Sequence, residues 1–151
     1  MVGGQVDDLA WESNPDKAHS FSELEALHAR KTGALICVSL RLGAWVAQGH
    51  QPNGPDLELL EHLTTYGRCL GLAFQITDDL LDVEGNPQQM GKQAQKDAGR
   101  GKLTYPGILG VEESRQKAEQ LCRQAESSVA HLGAAGERLG QLAQFVLKRD
   151  R

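Results

Sequence analysis

The residues with the clearest potential for chemistry form a short acidic run near the middle of the sequence. Residues 74–82 read Phe-Gln-Ile-Thr-Asp-Asp-Leu-Leu-Asp. On a helix, four polar side chains of this run share one arc about 100° wide, and apolar residues fill the rest of the circle. The four are Gln75, Asp78, Asp79 and Asp82. Such a narrow acidic stripe is either a solvated face or a site for a cation.

Two arguments favour a bound cation. All the charged residues of the stripe are acids, and they lie in the last turns of the predicted helix, where the helix dipole disfavours negative charge. Two carboxylates about 4 Å apart also repel by about 4 kcal/mol at an effective dielectric constant of about 20. Oxygen ligands without a nearby histidine or cysteine indicate Mg²⁺ rather than Zn²⁺. The residues alone leave the solvated face and the metal site both open.

Basic residues that could hold an anion lie in two other places. Residues 85–102 form a glycine-rich stretch that contains Gly91-Lys92 and Gly101-Lys102. Lysines beside carboxylate-bound Mg²⁺ are a usual way to hold a diphosphate, although a solvated loop has the same composition. Lys31 falls at the centre of an apolar helical stripe, where a lysine is rarely buried without a partner. A bound anion, with the Thr32 hydroxyl beside it, would explain that position; a snorkelling side chain is the alternative.

Helical periodicity accounts for almost the whole chain and predicts an all-α fold. Residues Ser20 to Glu23 predict a capping box that opens a helix running to residue 48. Its apolar stripe comprises Phe21, Leu24, Leu35, Val38, Leu42 and Trp45, with His28 and Lys31 in the gaps. Further helices are predicted at about 56–84, from Tyr105 or Pro106, at about 111–132 and at about 137–149, and the first residues indicate the end of another helix.

Composition excludes several classes of function. A formal net charge of −4 and 5% aromatic residues disfavour a nucleic-acid partner. The three cysteines, Cys37, Cys69 and Cys122, are too far apart for zinc-ligand spacing or a disulfide framework. The longest apolar run, residues 34–38, is too short to span a bilayer, and acidic residues near the start argue against a signal peptide. We therefore expect a single cytoplasmic domain.

Four sequence elements, in order, resemble the trans-type polyprenyl diphosphate synthases, in particular bacterial farnesyl and geranylgeranyl diphosphate synthases. Residues 71–85 resemble the second aspartate-rich motif of that family, and residues 91–106 resemble the stretch that follows it. Residues 28–35 resemble its lysine–threonine helix, and residues 3–8 resemble its Gly-Gln-x-x-Asp element. The match covers essentially all of residues 1–151, and the set of motifs is specific.

The resemblance implies an isoprenoid-synthase-type helical bundle, of which this chain holds the C-terminal helices. It implies Mg²⁺ on Asp78, with Asp79 and Asp82 near it, and an allylic diphosphate gripped by the metal. Lys31 and Lys92 would contact that diphosphate, and Lys102 would be a third contact. The residues that would line the allylic site are Thr32, Gln75 and Gln5. The reaction implied is ionisation of the allylic diphosphate followed by attack of isopentenyl diphosphate.

The family is about twice as long as this chain, and its first Asp-Asp-x-x-Asp motif precedes the Gly-Gln element. The expectation is therefore the C-terminal half of such an enzyme, inactive on its own. A non-catalytic subunit that binds an allylic diphosphate, or a plain helical bundle, are the alternatives. We expect a homodimer or association with an N-terminal half, because the faces Leu24–Trp45 and Leu59–Leu81 would otherwise be partly open.

Overall fold

The computed structural model describes residues 1–13, 20–84 and 104–149, and these ranges are helical with no strand. The α-helices are α1 (Val2–Glu12), α2 (Phe21–His28), α3 (Ala34–Gln48), α4 (Leu57–Glu84), α5 (Tyr105–Leu109), α6 (Val111–Val129) and α7 (Ala134–Lys148). A π-helical turn, Ala29–Gly33, joins α2 to α3, and a 3₁₀ turn, Ala130–Leu132, follows α6. The all-α prediction is confirmed. In these ranges no helix is both long enough and apolar enough to cross a membrane.

Side-chain caps set where helices begin. The predicted capping box is confirmed: Glu23 N–H donates to Ser20 Oγ at 3.3 Å, and Ser20 N–H donates to the Glu23 carboxylate at 2.7 Å. Asp56 accepts a hydrogen bond from Glu58 N–H at 2.9 Å just before α4. Thr104 accepts one from Gly107 N–H at 3.3 Å at the start of α5. Each cap satisfies a backbone donor that has no partner inside its helix.

The predicted long helix forms from residue 21 to residue 48, with a π-helical turn, Ala29–Gly33, inside it. Leu24 and Leu27, before the turn, are fully buried. Beyond the turn, the later members of the predicted stripe are about half exposed: Leu35, Val38, Leu42 and Trp45. A π turn uses i→i+5 hydrogen bonds, so it rotates every later side chain relative to an α-helical count. Ala44 and Ile36 face the core instead.

Helix α4 lies at the centre of the bundle, in contact with α3, α6 and α7. Its buried side chains include Leu60, Leu63, Leu70 and Leu80. Leu59 and Leu81, which bound the second face expected to be partly open, are half-buried. The expected opening of the later Leu24–Trp45 stripe is confirmed. Tyr66 ties α4 to α7, since its hydroxyl donates to Leu139 O at 2.7 Å.

A glycine on α4 allows the π-helical turn to pack closely against that helix. A Cβ added at Gly71 would lie 2.7 Å from the Gly33 Cα, a distance that real Cβ atoms do not reach. A Cβ added at Gly33 would lie 3.9 Å from His28 O, which is an ordinary contact, so the close approach requires glycine at position 71 only. This contact fixes the π-helical turn on one particular side of α4.

Candidate functional site

One face of α4 carries most of the residues that the sequence singles out. Gly71, Gln75, Asp78 and Asp82 are spaced by four, three and four residues, so they lie along the same side of the helix. Gly71 contacts Gly33 on this side. The π-helical turn that bears Lys31 and Thr32 is therefore packed on the face that bears Asp78, which lies about 10 Å further along the axis.

The three aspartates of the acidic run have different surroundings. Asp79 is only 8% exposed, and its carboxylate accepts a hydrogen bond from Tyr105 N–H at 3.0 Å. Asp78 is partly exposed, and Asp82 is exposed. Asp79 thus holds the first residue of α5, whereas Asp78 and Asp82 present carboxylates at the surface one turn apart.

The oxygen donors on this face of α4 suit a Mg²⁺ ion that takes its remaining ligands from a bound substrate. Within residues 1–13, 20–84 and 104–149, no three His, Cys, Asp or Glu side chains converge as a metal cage. Mg²⁺ is commonly held by one or two carboxylates together with substrate phosphates. Asp78 and Asp82 supply two such carboxylates, and the neighbouring Gln75 supplies an amide oxygen on the same face.

The basic residue that the sequence marked as anomalous has an acidic partner. Lys31 Nζ forms an ion pair with the Asp8 carboxylate of α1, and the Lys31 side chain is 30% exposed. The adjacent Arg30 pairs with Asp7 at 2.8 Å. The sequence predicted a bound anion beside Lys31, or a snorkelling side chain; in this structure its partner is the Asp8 carboxylate, and the bound anion stays a prediction.

A second ion pair involves the acidic run. Arg149, at the end of α7, pairs with Asp78 Oδ1 and donates from Nη2 to Phe74 O at 3.1 Å. Its guanidinium carbon lies 3.9 Å from the centroid of the Phe74 ring. A cavity of about 620 Å³ between α4, α6 and α7 opens beside Arg149, and Thr77, Arg115, Arg123 and Lys148 also line it.

Five further residues were predicted to contact an allylic diphosphate or to line its site. Gln5 is exposed on α1, one turn before Asp8, and Thr32 and Gln75 are half-buried. Lys92 and Lys102 lie outside the described residues. Their predicted contacts with a diphosphate stay predictions, as do those of the other candidates.

Tyr105 anchors the inner side of the acidic run. Its ring is fully buried, in edge-to-face contact with Phe21 and in contact with His28, at centroid distances of 5.5 Å. Burial raises the pKa of the Tyr105 phenol, and the Glu25 and Asp79 carboxylates raise it further. The phenol therefore stays neutral across the physiological range, and Tyr105 contacts Asp79 through its backbone N–H.

Sequence reasoning missed Asp8 as a partner of Lys31 and assigned no role to Arg149. Asp8 stands in the Gly-Gln-x-x-Asp element, so its position was noticed but its partner was not. Arg149 is 71 residues from Asp78. No local pattern indicates a contact over such a separation.

Comparison with known proteins gives consistent matches. A family model described as polyprenyl synthetase matches residues 1–139. Geranylgeranyl pyrophosphate synthase 3, chloroplastic, from Arabidopsis thaliana is 43% identical over 130 residues, which cover 85% of this chain and 34% of that protein. Farnesyl diphosphate synthase from Haemophilus influenzae is 39% identical over 149 residues, which cover 99% of this chain and 48% of that protein.

A solved structure agrees in fold. The crystal structure of geranyltransferase from Helicobacter pylori, complexed with magnesium and isoprenyl diphosphate, matches with a TM-score of 0.69 and 31% identity. The match covers 97% of this chain and 45% of that one. This chain thus spans less than half the length of these relatives.

Proposed function

Since the chain belongs to the polyprenyl synthetase family, we propose that it supplies the Mg²⁺ and allylic-diphosphate half of a prenyltransferase site. The proposed reaction joins an allylic diphosphate to isopentenyl diphosphate in isoprenoid biosynthesis. The observation that carries the proposal is the α4 face on which Asp78 and Asp82 lie, with the Lys31 turn packed on the same side. The all-α fold is of the isoprenoid-synthase type, as the structural match to a geranyltransferase shows.

In this proposal Asp78 and Asp82 hold Mg²⁺ through carboxylate oxygens. Bound Mg²⁺ would neutralise charge on the diphosphate as the carbon–oxygen bond of the allylic substrate breaks. The Helicobacter pylori relative was crystallised with magnesium and an isoprenyl diphosphate, which supports the pairing of these two ligands in the family. Asp79 takes a supporting role, because its buried carboxylate fixes α5 beneath the site.

Lys31 would stabilise the departing diphosphate. Its ammonium group is held near the α4 face by the π-helical turn, and Asp8 neutralises it in the absence of substrate. A diphosphate oxygen can replace the Asp8 carboxylate as acceptor, since both form charge-assisted hydrogen bonds. Thr32, Gln75 and Gln5 would line the allylic site, and Lys92 and Lys102 would add further positive charge. Positioned cations of this kind lower a barrier by stabilising charge that develops in the transition state.

Calorimetry with an allylic diphosphate, with and without Mg²⁺, tests the half-site. We expect Mg²⁺-dependent diphosphate binding by the 151-residue chain, and at least about a tenfold loss in Asp78→Asn because a bound charge is removed. Asp56→Asn is the matched control: it makes the same chemical change on the same helix, about 33 Å away along the axis. Asparagine caps a helix as well as aspartate does, so the control should fold and bind normally. Equal affinity with and without Mg²⁺ would refute the half-site.

A second assay addresses catalysis. The sequence contains one Asp-Asp-x-x-Asp pattern, at residues 78–82. Because positioning two substrates together supplies about 7–11 kcal/mol of barrier lowering, one half-site alone should give negligible condensation. A radiolabel assay with both diphosphates measures this directly. Rapid product formation by the 151-residue chain alone would contradict the division into half-sites.

We also propose that the chain associates through the exposed apolar face of α3, formed by Leu35, Val38, Leu42 and Trp45. Contiguous apolar surface of this kind is unusual on a soluble monomer. A second copy or the remainder of a longer synthase would cover it. Light scattering during gel filtration should give a mass above 16.4 kDa for the chain alone, and Leu42→Asp should reduce that mass. A sharp monomer would count against association through α3.

A further inference from the structure

Arg149 makes three different contacts with the acidic end of α4. It forms an ion pair with Asp78, donates a hydrogen bond to Phe74 O at 3.1 Å, and lies over the Phe74 ring at 3.9 Å. The Arg149 side chain is 16% exposed, whereas the Asp78 side chain is 43% exposed. The arginine is thus largely enclosed, and the carboxylate that it neutralises still reaches solvent.

The position of Arg149 offsets an electrostatic cost. Asp78 lies in the last two turns of α4, where the helix dipole disfavours a carboxylate. Asp82 follows one turn later and adds a second negative charge. A guanidinium at this point neutralises Asp78, and the end of α7 also favours a cation because its dipole is negative there.

We propose that Arg149 is the resident counter-cation of Asp78, and that a divalent cation must displace it to reach this carboxylate. The inference rests on the proposed function, which makes Asp78 a Mg²⁺ ligand. A divalent ion and a guanidinium on one carboxylate repel each other strongly at low effective dielectric. Arg149 and the metal therefore exclude one another, and each stabilises Asp78 in its own state.

Arg149 stands just past the last residue of α7, so its side chain can turn away from Asp78 while α7 stays in place. The cavity of about 620 Å³ beside it is lined by Glu119 and Gln144, but also by the cations Arg115, Arg123 and Lys148. Because these cations repel a guanidinium, the displaced side chain turns towards solvent at the mouth of the cavity.

Competition predicts that removing the arginine improves metal binding. The apparent affinity equals the intrinsic affinity multiplied by the fraction of molecules in which Asp78 is available. We expect Arg149→Gln to bind Mn²⁺ about threefold to tenfold more tightly than the unmodified chain, in titrations followed by electron paramagnetic resonance. Lys148→Gln is the matched control, since it removes the same charge from the exposed neighbouring residue. Its affinity should stay within about twofold, because exposed charges are screened.

Nuclear magnetic resonance supplies a readout that does not depend on affinity. The Arg149 guanidinium carbon lies 3.9 Å from the centroid of the Phe74 ring, so the attached Nε–H resonance should be shifted by the ring current and should vanish in Arg149→Gln. Adding Mg²⁺ should move this resonance to the position of exposed arginines. In Asp78→Asn the resonance should not respond to Mg²⁺.

The outcomes separate this inference from the proposed half-site. If Asp78→Asn abolishes Mn²⁺ binding but Arg149→Gln binds no more tightly than Lys148→Gln, Arg149 is not a competitor and the half-site stands. An Arg149 resonance that stays unmoved at saturating Mg²⁺ leads to the same conclusion. If Asp78→Asn binds Mn²⁺ normally, or if neither the unmodified chain nor Arg149→Gln binds it, the metal site and this inference both fail.

Discussion

Replacing Gly71 with alanine tests how the candidate site is held together. The added Cβ would lie 2.7 Å from the Gly33 Cα and 3.2 Å from the Gly33 nitrogen. Both are backbone atoms, so the clash cannot be relieved by rotating a side chain. The π-helical turn and α4 must move apart by several tenths of an ångström, and overpacking of this kind costs about 1–3 kcal/mol.

Gly43→Ala isolates that cost. Gly43 is exposed within α3, and an added Cβ would meet no other described atom within 4 Å apart from its own helix. Both substitutions gain about 1 kcal/mol because alanine favours the helix over glycine. The difference between the two variants in free energy of unfolding therefore reports the packing cost alone, about 1–3 kcal/mol.

Urea unfolding followed by circular dichroism measures both variants. We expect Gly43→Ala to be slightly more stable than the unmodified chain, and Gly71→Ala to be less stable than Gly43→Ala by the packing cost. Because Gly71 holds the turn that carries Lys31, Gly71→Ala should also weaken Mg²⁺-dependent diphosphate binding, whereas Gly43→Ala should not. Equal stability and equal binding of the two variants would refute the close contact between Gly71 and Gly33.

Three further predictions concern buried polar groups. Asp79→Ala leaves the Tyr105 N–H without its acceptor and should lower the free energy of unfolding by about 1–3 kcal/mol. Asp82→Ala, at an exposed position, should change it by less than about 0.5 kcal/mol. A larger loss in Asp82→Ala than in Asp79→Ala would contradict the structural role of Asp79. Burial raises the pKa of Tyr66 from 10.0 to about 12, so the neutral phenol stabilises the fold fully below pH 10, and that contribution is lost as pH rises towards 12. The free energy of unfolding should therefore fall by about 2–3 kcal/mol over this range. A free energy of unfolding that does not change between pH 10 and pH 12 would oppose this prediction. Burial also raises the pKa of Cys122 to about 12, so mass spectrometry after alkylation should find Cys122 unlabelled until urea is added.

Local rules were sufficient where a helix begins at a side-chain cap. The Ser20 and Glu23 pair predicted the start of α2, and the structure forms both hydrogen bonds of the box. The apolar and polar periodicity predicted α4 to within one residue of its observed start at Leu57. Caps and periodicity are local properties, so one sequence is enough to detect them.

The π-helical turn could not be predicted in the same way. Gly33 signalled a weak point in the long helix, and the residue that packs against its backbone, Gly71, lies 38 positions later. A close contact between two backbones is a tertiary property, and the sequence shows only that two glycines exist. The turn also shifts the register of α3 relative to α2, and Leu35 and Trp45 are half exposed, as expected for a stripe that is partly open.

The acidic run shows a similar limit. An angular count places Asp79 in the same arc as Asp78 and Asp82, and no helical rule separates them. The separation comes from α5, because the Tyr105 N–H requires an acceptor and Asp79 is the nearest carboxylate on that side. A helical wheel gives the angular position of each side chain, whereas the neighbouring helices determine which angular positions are buried.

The charges around the candidate site are neutralised in pairs, and this pairing gives a reason for cooperative binding. Lys31 is paired with Asp8, and Asp78 is paired with Arg149. If Mg²⁺ alone binds Asp78, Arg149 loses its partner. If a diphosphate alone binds Lys31, Asp8 loses its partner, and the anion is repelled by the Asp78 carboxylate. A magnesium diphosphate brings a cation for Asp78 and an anion for Lys31 together, so the attraction between its two parts offsets both losses. Under the proposals above, each ligand therefore binds more tightly in the presence of the other, and by linkage the gain is the same in both directions.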